Sequence, residues 1–155
     1  MTDYLMKSWR NTKEMPLLLR LLCQGGMVVA PIFLCFLLLP ITGWTVNGRT
    51  MSYAELWKSG AGVALGVFLV LLLLGTWGLA ARNSGTRWAL VLAPVAPYAV
   101  LVIFPWSSQV SSESLSAYTI TSAIVTGLVI YGCLFHLQSV RRYLERSDVG
   151  EKSSA

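Results

Sequence analysis

The feature that most constrains this chain is where its charges are missing: residues 21–48, 59–81, 88–112 and 114–140 contain no Asp, Glu, Lys or Arg. Each stretch can supply the roughly 20 apolar residues that cross about 30 Å of hydrocarbon at about 1.5 Å per helical residue. A soluble domain of 155 residues would spread charge over its surface, whereas here 55% of residues are hydrophobic and 12% charged, a balance that fits lipid rather than water. We expect an all-α polytopic membrane protein, a four-transmembrane-helix antiparallel bundle forming one domain over 1–155. Its spans are expected near 21–41, 61–81, 88–106 and 118–140. Lys7, Arg10, Lys13 and Arg20 precede the first stretch as they would in a signal peptide. That stretch is longer than a signal h-region and is followed by no clear small-x-small cleavage site, so it reads as a retained first helix.

Orientation follows from the bias of Lys and Arg in short loops. Four spans place the N-terminus, the 82–87 loop and the C-terminus on one side, with Lys7, Arg10, Lys13, Arg20, Arg82, Arg87, Arg141, Arg142, Arg146 and Lys152; the other side holds only Arg49 and Lys58. Both termini are therefore expected in the cytoplasm (N-in/C-in). The net charge of +5 is explained by this topology and by attraction to anionic lipid. Nucleic-acid binding would need the cations on one folded surface rather than along membrane margins. Tryptophan, which favours the headgroup level, gives the same map: Trp44, Trp57 and Trp106 at the outer margin, Trp9, Trp77 and Trp88 at the inner one.

Between the spans, three segments carry local signals. Residues 3–14 place Tyr4, Leu5 and Trp9 on one helical face and Lys7, Arg10 and Lys13 on another, an interfacial anchor pattern. In the first outer loop, Asn47-Gly48 is a tight-turn pair, and Ser52 followed three residues later by Glu55 is a capping box. The box predicts a helix that starts at Tyr53, above the membrane, and continues without a break into the second span. The 82–87 loop is short enough to make the second and third spans antiparallel neighbours. Pro31, Pro94 and Pro97 are expected to kink their helices and free carbonyl groups, and the polar residues 147–155 to be disordered.

The spans lack the formal charges on which proton relays and ion pathways are usually built. Small multidrug exporters need an intramembrane carboxylate, disulfide-generating enzymes paired cysteines, dihaem cytochromes several histidines and intramembrane zinc proteases an H-E-x-x-H set. This chain has one histidine, His136, and three cysteines, Cys23, Cys35 and Cys133, all inside predicted spans with no C-x-x-C spacing. The cysteines read as small packing residues rather than a disulfide or zinc site. No catalytic residue, metal or cofactor is expected. His136 lies three residues from Ser139 on the same helix, a poor geometry for a dyad, and reads as an interfacial hydrogen-bonding or packing group.

Three features are candidate partner-binding sites. Thr119, Ser122, Thr126, Cys133 and His136 fall on one side of the fourth helix, where they either line a polar path or bond within the helix assembly. Gly62 and Gly66 form a small-x-x-x-small pair that serves a foreign helix or intrachain packing equally well. Arg49, Glu55, Trp57 and Lys58 form a charged, aromatic outer patch that suits either a partner or a headgroup anchor plus helix cap.

The small, polytopic, short-looped layout is similar to that of immunity proteins that protect bacteria from pore-forming or membrane-inserting toxins. The first expectation is thus a non-catalytic protein in a bacterial inner membrane, acting by helix–helix contacts with a membrane protein or toxin. An accessory subunit of a transporter, secretion or envelope complex is the alternative; a small oligomeric channel or transporter ranks third and an enzyme last. The lipid bilayer is a partner in every case, and homo-oligomerisation is left open. The absence of an N-x-S/T acceptor and the compact loops fit the bacterial assignment.

Overall fold

A computed structural model describes residues 15–40, 43–46, 49–103 and 117–144. The 3–14 anchor, the Asn47-Gly48 pair, the loop after the third span and the 147–155 tail lie outside the described residues. Among the described residues the protein is mostly helical, with one two-stranded sheet.

Helix α1 (Leu17–Leu38) runs as one helix through Pro31 and ends where Leu39 N–H donates to the Cys35 and Phe36 carbonyls. It starts four residues before the expected span and takes in Arg20. Strands β1 (Trp44–Val46) and β2 (Arg49–Met51) pair antiparallel with Val46 opposite Arg49, a register that leaves two residues between them. The short helix α2 (Tyr53–Lys58) follows, then α3 (Ala61–Ala80).

The capping box forms as the spacing requires: Ser52 Oγ accepts from Glu55 N–H at 3.4 Å, and Ser52 N–H donates to Glu55 Oε2 at 2.8 Å. The expected unbroken helix does not. Ser59 caps α2 with its hydroxyl on the Leu56 carbonyl (3.0 Å), and Gly60 adopts φ 77, a left-handed conformation that costs glycine little. The sequence therefore makes two helices here rather than one.

Helix α3 is the hub. It packs against α1, α2 and both pieces of the third apolar stretch, α4 (Arg87–Leu92) and α5 (Ala96–Ile103). Those two pieces meet at 57°. Pro94 and Pro97 have no N–H, so the carbonyls of Leu90 and Ala93 lose their helical donors, while Val95 N–H turns to Leu92 O at 3.0 Å. The kink expected from these prolines is thus a full break. Helix α6 (Ala117–His136) packs mainly against α4, and residues 138–144 continue as a further helical segment after Leu137.

Helices α1, α3 and α6 are each long and apolar enough to cross a membrane, and the α4–α5 pair makes a fourth if it is one span. Large apolar side chains stand exposed along them, including Leu21 and Ile32 on α1, Leu74 on α3, and Val125 and Leu128 on α6. Water would not tolerate so continuous an apolar surface, and hydrocarbon does.

The interior has two clusters. One joins Leu19 and Cys23 of α1, Leu79 and Ala80 of α3, Leu90 of α4, Leu134 of α6 and Val140, Tyr143 and Leu144 beyond it. Glycines bring the helices close there: a Cβ at Gly75 would overlap the Leu90 side chain, and one at Gly78 the Thr86 side chain. The other cluster joins Ala30 and Leu37 of α1, Leu56 of α2 and Leu69 of α3. Midway, Thr76 is fully buried against Gly26, its hydroxyl donating to the Leu72 and Leu73 carbonyls of its own helix at 2.8 and 3.1 Å.

Candidate functional site

Arg20, Arg82, Arg87, Arg141 and Arg142 stand beside the first cluster, at what we call the basic end. The turn that joins α3 to α4 there is tightly fastened. Arg82 takes φ 60, and Asn83 N–H reaches back to the Gly78 carbonyl at 2.8 Å, an ending of the Schellman type in which the left-handed residue is an arginine rather than a glycine. Asn83 Oδ1 accepts from Gly85 N–H, Thr86 Oγ1 donates to Asn83 O, and Arg87 Nε donates to Ser84 O. The Arg82 guanidinium lies 4.9 Å from the centroid of the Tyr143 ring and that of Arg87 4.5 Å from the Phe135 ring. These contacts hold cations against aromatic faces where an interface would favour them.

The opposite end carries the sheet and α2. Tyr53 Oη donates to the Leu38 carbonyl at 3.3 Å, fastening the start of α2 to the end of α1, and the Tyr53 and Trp57 rings meet edge to face at 6.2 Å. Glu55 and Lys58 are exposed on this platform, while Trp57 lies half-buried over Gly62, where a Cβ would come within 3.1 Å of its ring. Arg49 closes the hairpin in β2. Gly66 faces Leu37 of α1 at ordinary contact distance. Both glycines of the small-x-x-x-small pair therefore meet neighbours within the chain. The indole N–H groups of Trp44 and Trp57 are buried with no acceptor among the described residues, an uncommon state for a buried donor.

Below the platform, in the hairpin-side half of the spans, lies a cavity of about 740 Å³. Ala64 and Phe68 of α3 form its back, and Phe33 of α1 and Leu56 of α2 close its sides. Helix α5 contributes Pro97 and Tyr98. Thr119, Ser122 and Thr126 of α6 line the remaining wall, so the structure brings the first three members of the expected stripe to one place. Cys133 and His136 do not join them. Both are exposed near the basic end, where His136 sits edge-on to Tyr131 with ring centroids 5.7 Å apart. The stripe therefore lines a cavity rather than a continuous path along α6. Thr126 Oγ1 donates to the Ser122 carbonyl at 2.8 Å, the within-helix bond that makes a threonine inexpensive to place in lipid.

Among the described residues no Asp, Glu, Lys, Arg or His lines the cavity, and no group of three or more His, Cys, Asp or Glu is placed to hold a metal. Cys23 is buried in the basic-end cluster, whereas Cys35 is exposed on α1.

Sequence reasoning missed the cavity and Tyr98 within it. The bend between α4 and α5 borders the cavity, and the paired prolines were its visible signal. It also passed over Gly75 and Gly78, whose i, i+3 spacing marks the face that α4 and its turn press on. No family model, curated protein or solved structure matches this chain.

Proposed function

We propose that the chain is a non-catalytic inner-membrane protein of bacterial type, crossing the bilayer four times with both termini in the cytoplasm, that acts by binding a membrane partner. The most concrete form is an immunity protein against a pore-forming or membrane-inserting toxin. Taking α4 and α5 as one broken span gives four crossings, and the gathering of five arginines at the basic end supports the orientation.

The observation that carries the reading is the hairpin-side platform. Its sheet, capping box, Ser59–Gly60 break and Tyr53 fastening to Leu38 hold the exposed Glu55 and Lys58 on a fixed base. A rigid charged surface at the outer margin is suited to meet a toxin as it arrives from that side, with Arg49 close by in sequence. Fixed geometry lowers the ordering cost of binding. The hydroxyls of the buried Thr76 and the exposed Thr126 are meanwhile spent on their own helices, which favours a scaffold over a polar conduit.

A toxin challenge tests this. Cells expressing the chain should survive a neighbouring-gene toxin that kills cells lacking it, and the Glu55→Lys, Lys58→Glu pair should lower protection by about ten-fold or more, as loss of a binding hot spot would. Unchanged killing with and without the chain, against every toxin encoded nearby, would remove the immunity reading. The accessory-subunit reading draws on the same platform, because a water-facing surface also suits a periplasmic domain. Mild-detergent pull-down recovering a stoichiometric larger membrane protein would favour it.

A further inference from the structure

We propose that the hairpin-side cavity is a binding site for an uncharged amphiphile, a long apolar chain that carries a neutral hydrogen-bonding group such as a hydroxyl or carbonyl. The site belongs to the chain itself and does not depend on the platform's partner.

Four observations fix the occupant. The first is depth: most of the wall comes from the apolar spans, with Ala64 and Phe68 in the first half of α3, Phe33 in the second half of α1 and Ser122 in the first half of α6, while Trp44 and Thr45 of β1 and Leu56 of α2 form its hairpin-side rim. A site that runs from apolar spans to a rim at the hairpin suits a molecule with an apolar chain and a polar head, which a bilayer leaflet supplies laterally.

The second is volume. The cavity offers about 740 Å³. At about 30 Å³ for each methylene-sized group, taking the share of a liquid water as the yardstick, it accepts around two dozen such groups, a long chain with a small head.

The third is charge. With no Asp, Glu, Lys, Arg or His among the described residues of the wall, a phosphate, carboxylate or ammonium entering this half of the span would find no charged partner there to offset its desolvation cost. A neutral head avoids that penalty.

The fourth is hydrogen bonding. The Tyr98 and Ser122 hydroxyls line the cavity and make no side-chain hydrogen bond among the described residues, in contrast to Thr126 beside them. Each can donate to or accept from a neutral head, and an apolar occupant alone would leave both unsatisfied.

Binding of tritiated hexadecanol, palmitate and hexadecyltrimethylammonium to the purified full-length chain in detergent micelles tests the proposal. Hexadecanol should bind saturably at about one per chain and at least about ten-fold tighter than either charged analogue, reflecting the cost of burying an unpaired charge. Ser122→Phe, which narrows the cavity and removes one of its hydroxyls, should weaken that binding at least about ten-fold. Val125→Phe, on the exposed face of the same helix, should leave it intact. Tyr98→Phe with Ser122→Ala keeps the cavity's size and should weaken hexadecanol by about two- to ten-fold per lost hydrogen bond.

Native mass spectrometry of the chain purified from membranes separates the sources. A co-purified neutral glycerolipid would assign the ligand to the bilayer, and another neutral amphiphile to a free pool. Non-saturable partitioning of all three probes, preference for a charged probe, equal binding by Ser122→Phe, or retention of phospholipid alone would each overturn the proposal. So would an unchanged affinity in the double hydroxyl variant.

Discussion

The two halves of this helix assembly are built from similar residues and packed differently. At the basic end α1, α3, α4 and the end of α6 converge on one cluster, with Gly75 and Gly78 admitting Leu90 and Thr86 to the surface of α3. At the hairpin end α1, α2 and α3 still form a cluster and α5 packs on α3, but α6 does not close on them, and the cavity lies between. The cause is local. Pro94 and Pro97 turn α5 by 57° away from the line of α4. Helix α6 follows α4, with Gly127 set so close to the Val91 carbonyl that a Cβ would stand 3.2 Å from it. The break between α4 and α5 thus separates a tight half from an open one.

In lipid the apolar surface of a separated helix is not penalised as it is in water, so close packing itself supplies the stability. The basic half should therefore carry most of it. The largest loss is expected from Leu79→Ala, which empties a fully buried site at the centre of the basic cluster. We expect about 2–4 kcal/mol in reversible unfolding from mixed micelles. Gly78→Ala should follow at about 1–3 kcal/mol, because the new methyl overlaps Thr86, whose side chain and backbone are held in the turn. A gain in stability from this change would show that α3 and the turn are less closely set than described.

Smaller effects are expected at the hairpin end. Ser52→Ala removes one half of the capping box and should cost about 1 kcal/mol, read as faster amide exchange over residues 53–58 with the spans unaffected. Glu55→Gln keeps a side chain able to complete the box and should change exchange less. The least effect is expected from Thr126→Val on the cavity wall, within about 0.5 kcal/mol, since its hydroxyl bonds only to its own helix among the described residues. A loss above about 1 kcal/mol would mean that α6 closes on α5 or α3 through this residue.

The same contrast explains what could be read from the sequence. The helices of α1, α3 and α6 lie within a few residues of the uncharged stretches, because the length of an apolar run between charges is nearly the length of a span. The cap at Ser52 and Glu55 was equally local and equally legible. Gly60 was not: a glycine before an apolar run reads as part of it, and its left-handed turn depends on Ser59 closing α2 first. The proline pair promised a kink, yet whether it yields a bent helix or two helices with a cavity depends on what α4 and α6 pack against. The threonine stripe divides between two surroundings. Its periodicity holds along the whole of α6, but the neighbours change between its halves, so Thr119, Ser122 and Thr126 share a cavity while Cys133 and His136 stand exposed elsewhere.

Two alanines on α3 put the account to its most direct test. Ala64 faces the cavity and Ala80 sits in the basic cluster, and both are buried. Enlarging each to leucine and measuring the unfolding free energy of Ala64→Leu and Ala80→Leu in the same mixed micelles isolates the packing of the two halves on one helix. Ala80→Leu should lose about 1–3 kcal/mol, the usual cost of forcing methylenes into a filled interior, and Ala64→Leu should stay within about 0.5 kcal/mol of the parent. Equal losses, or a larger loss at Ala64, would contradict the open hairpin-side half.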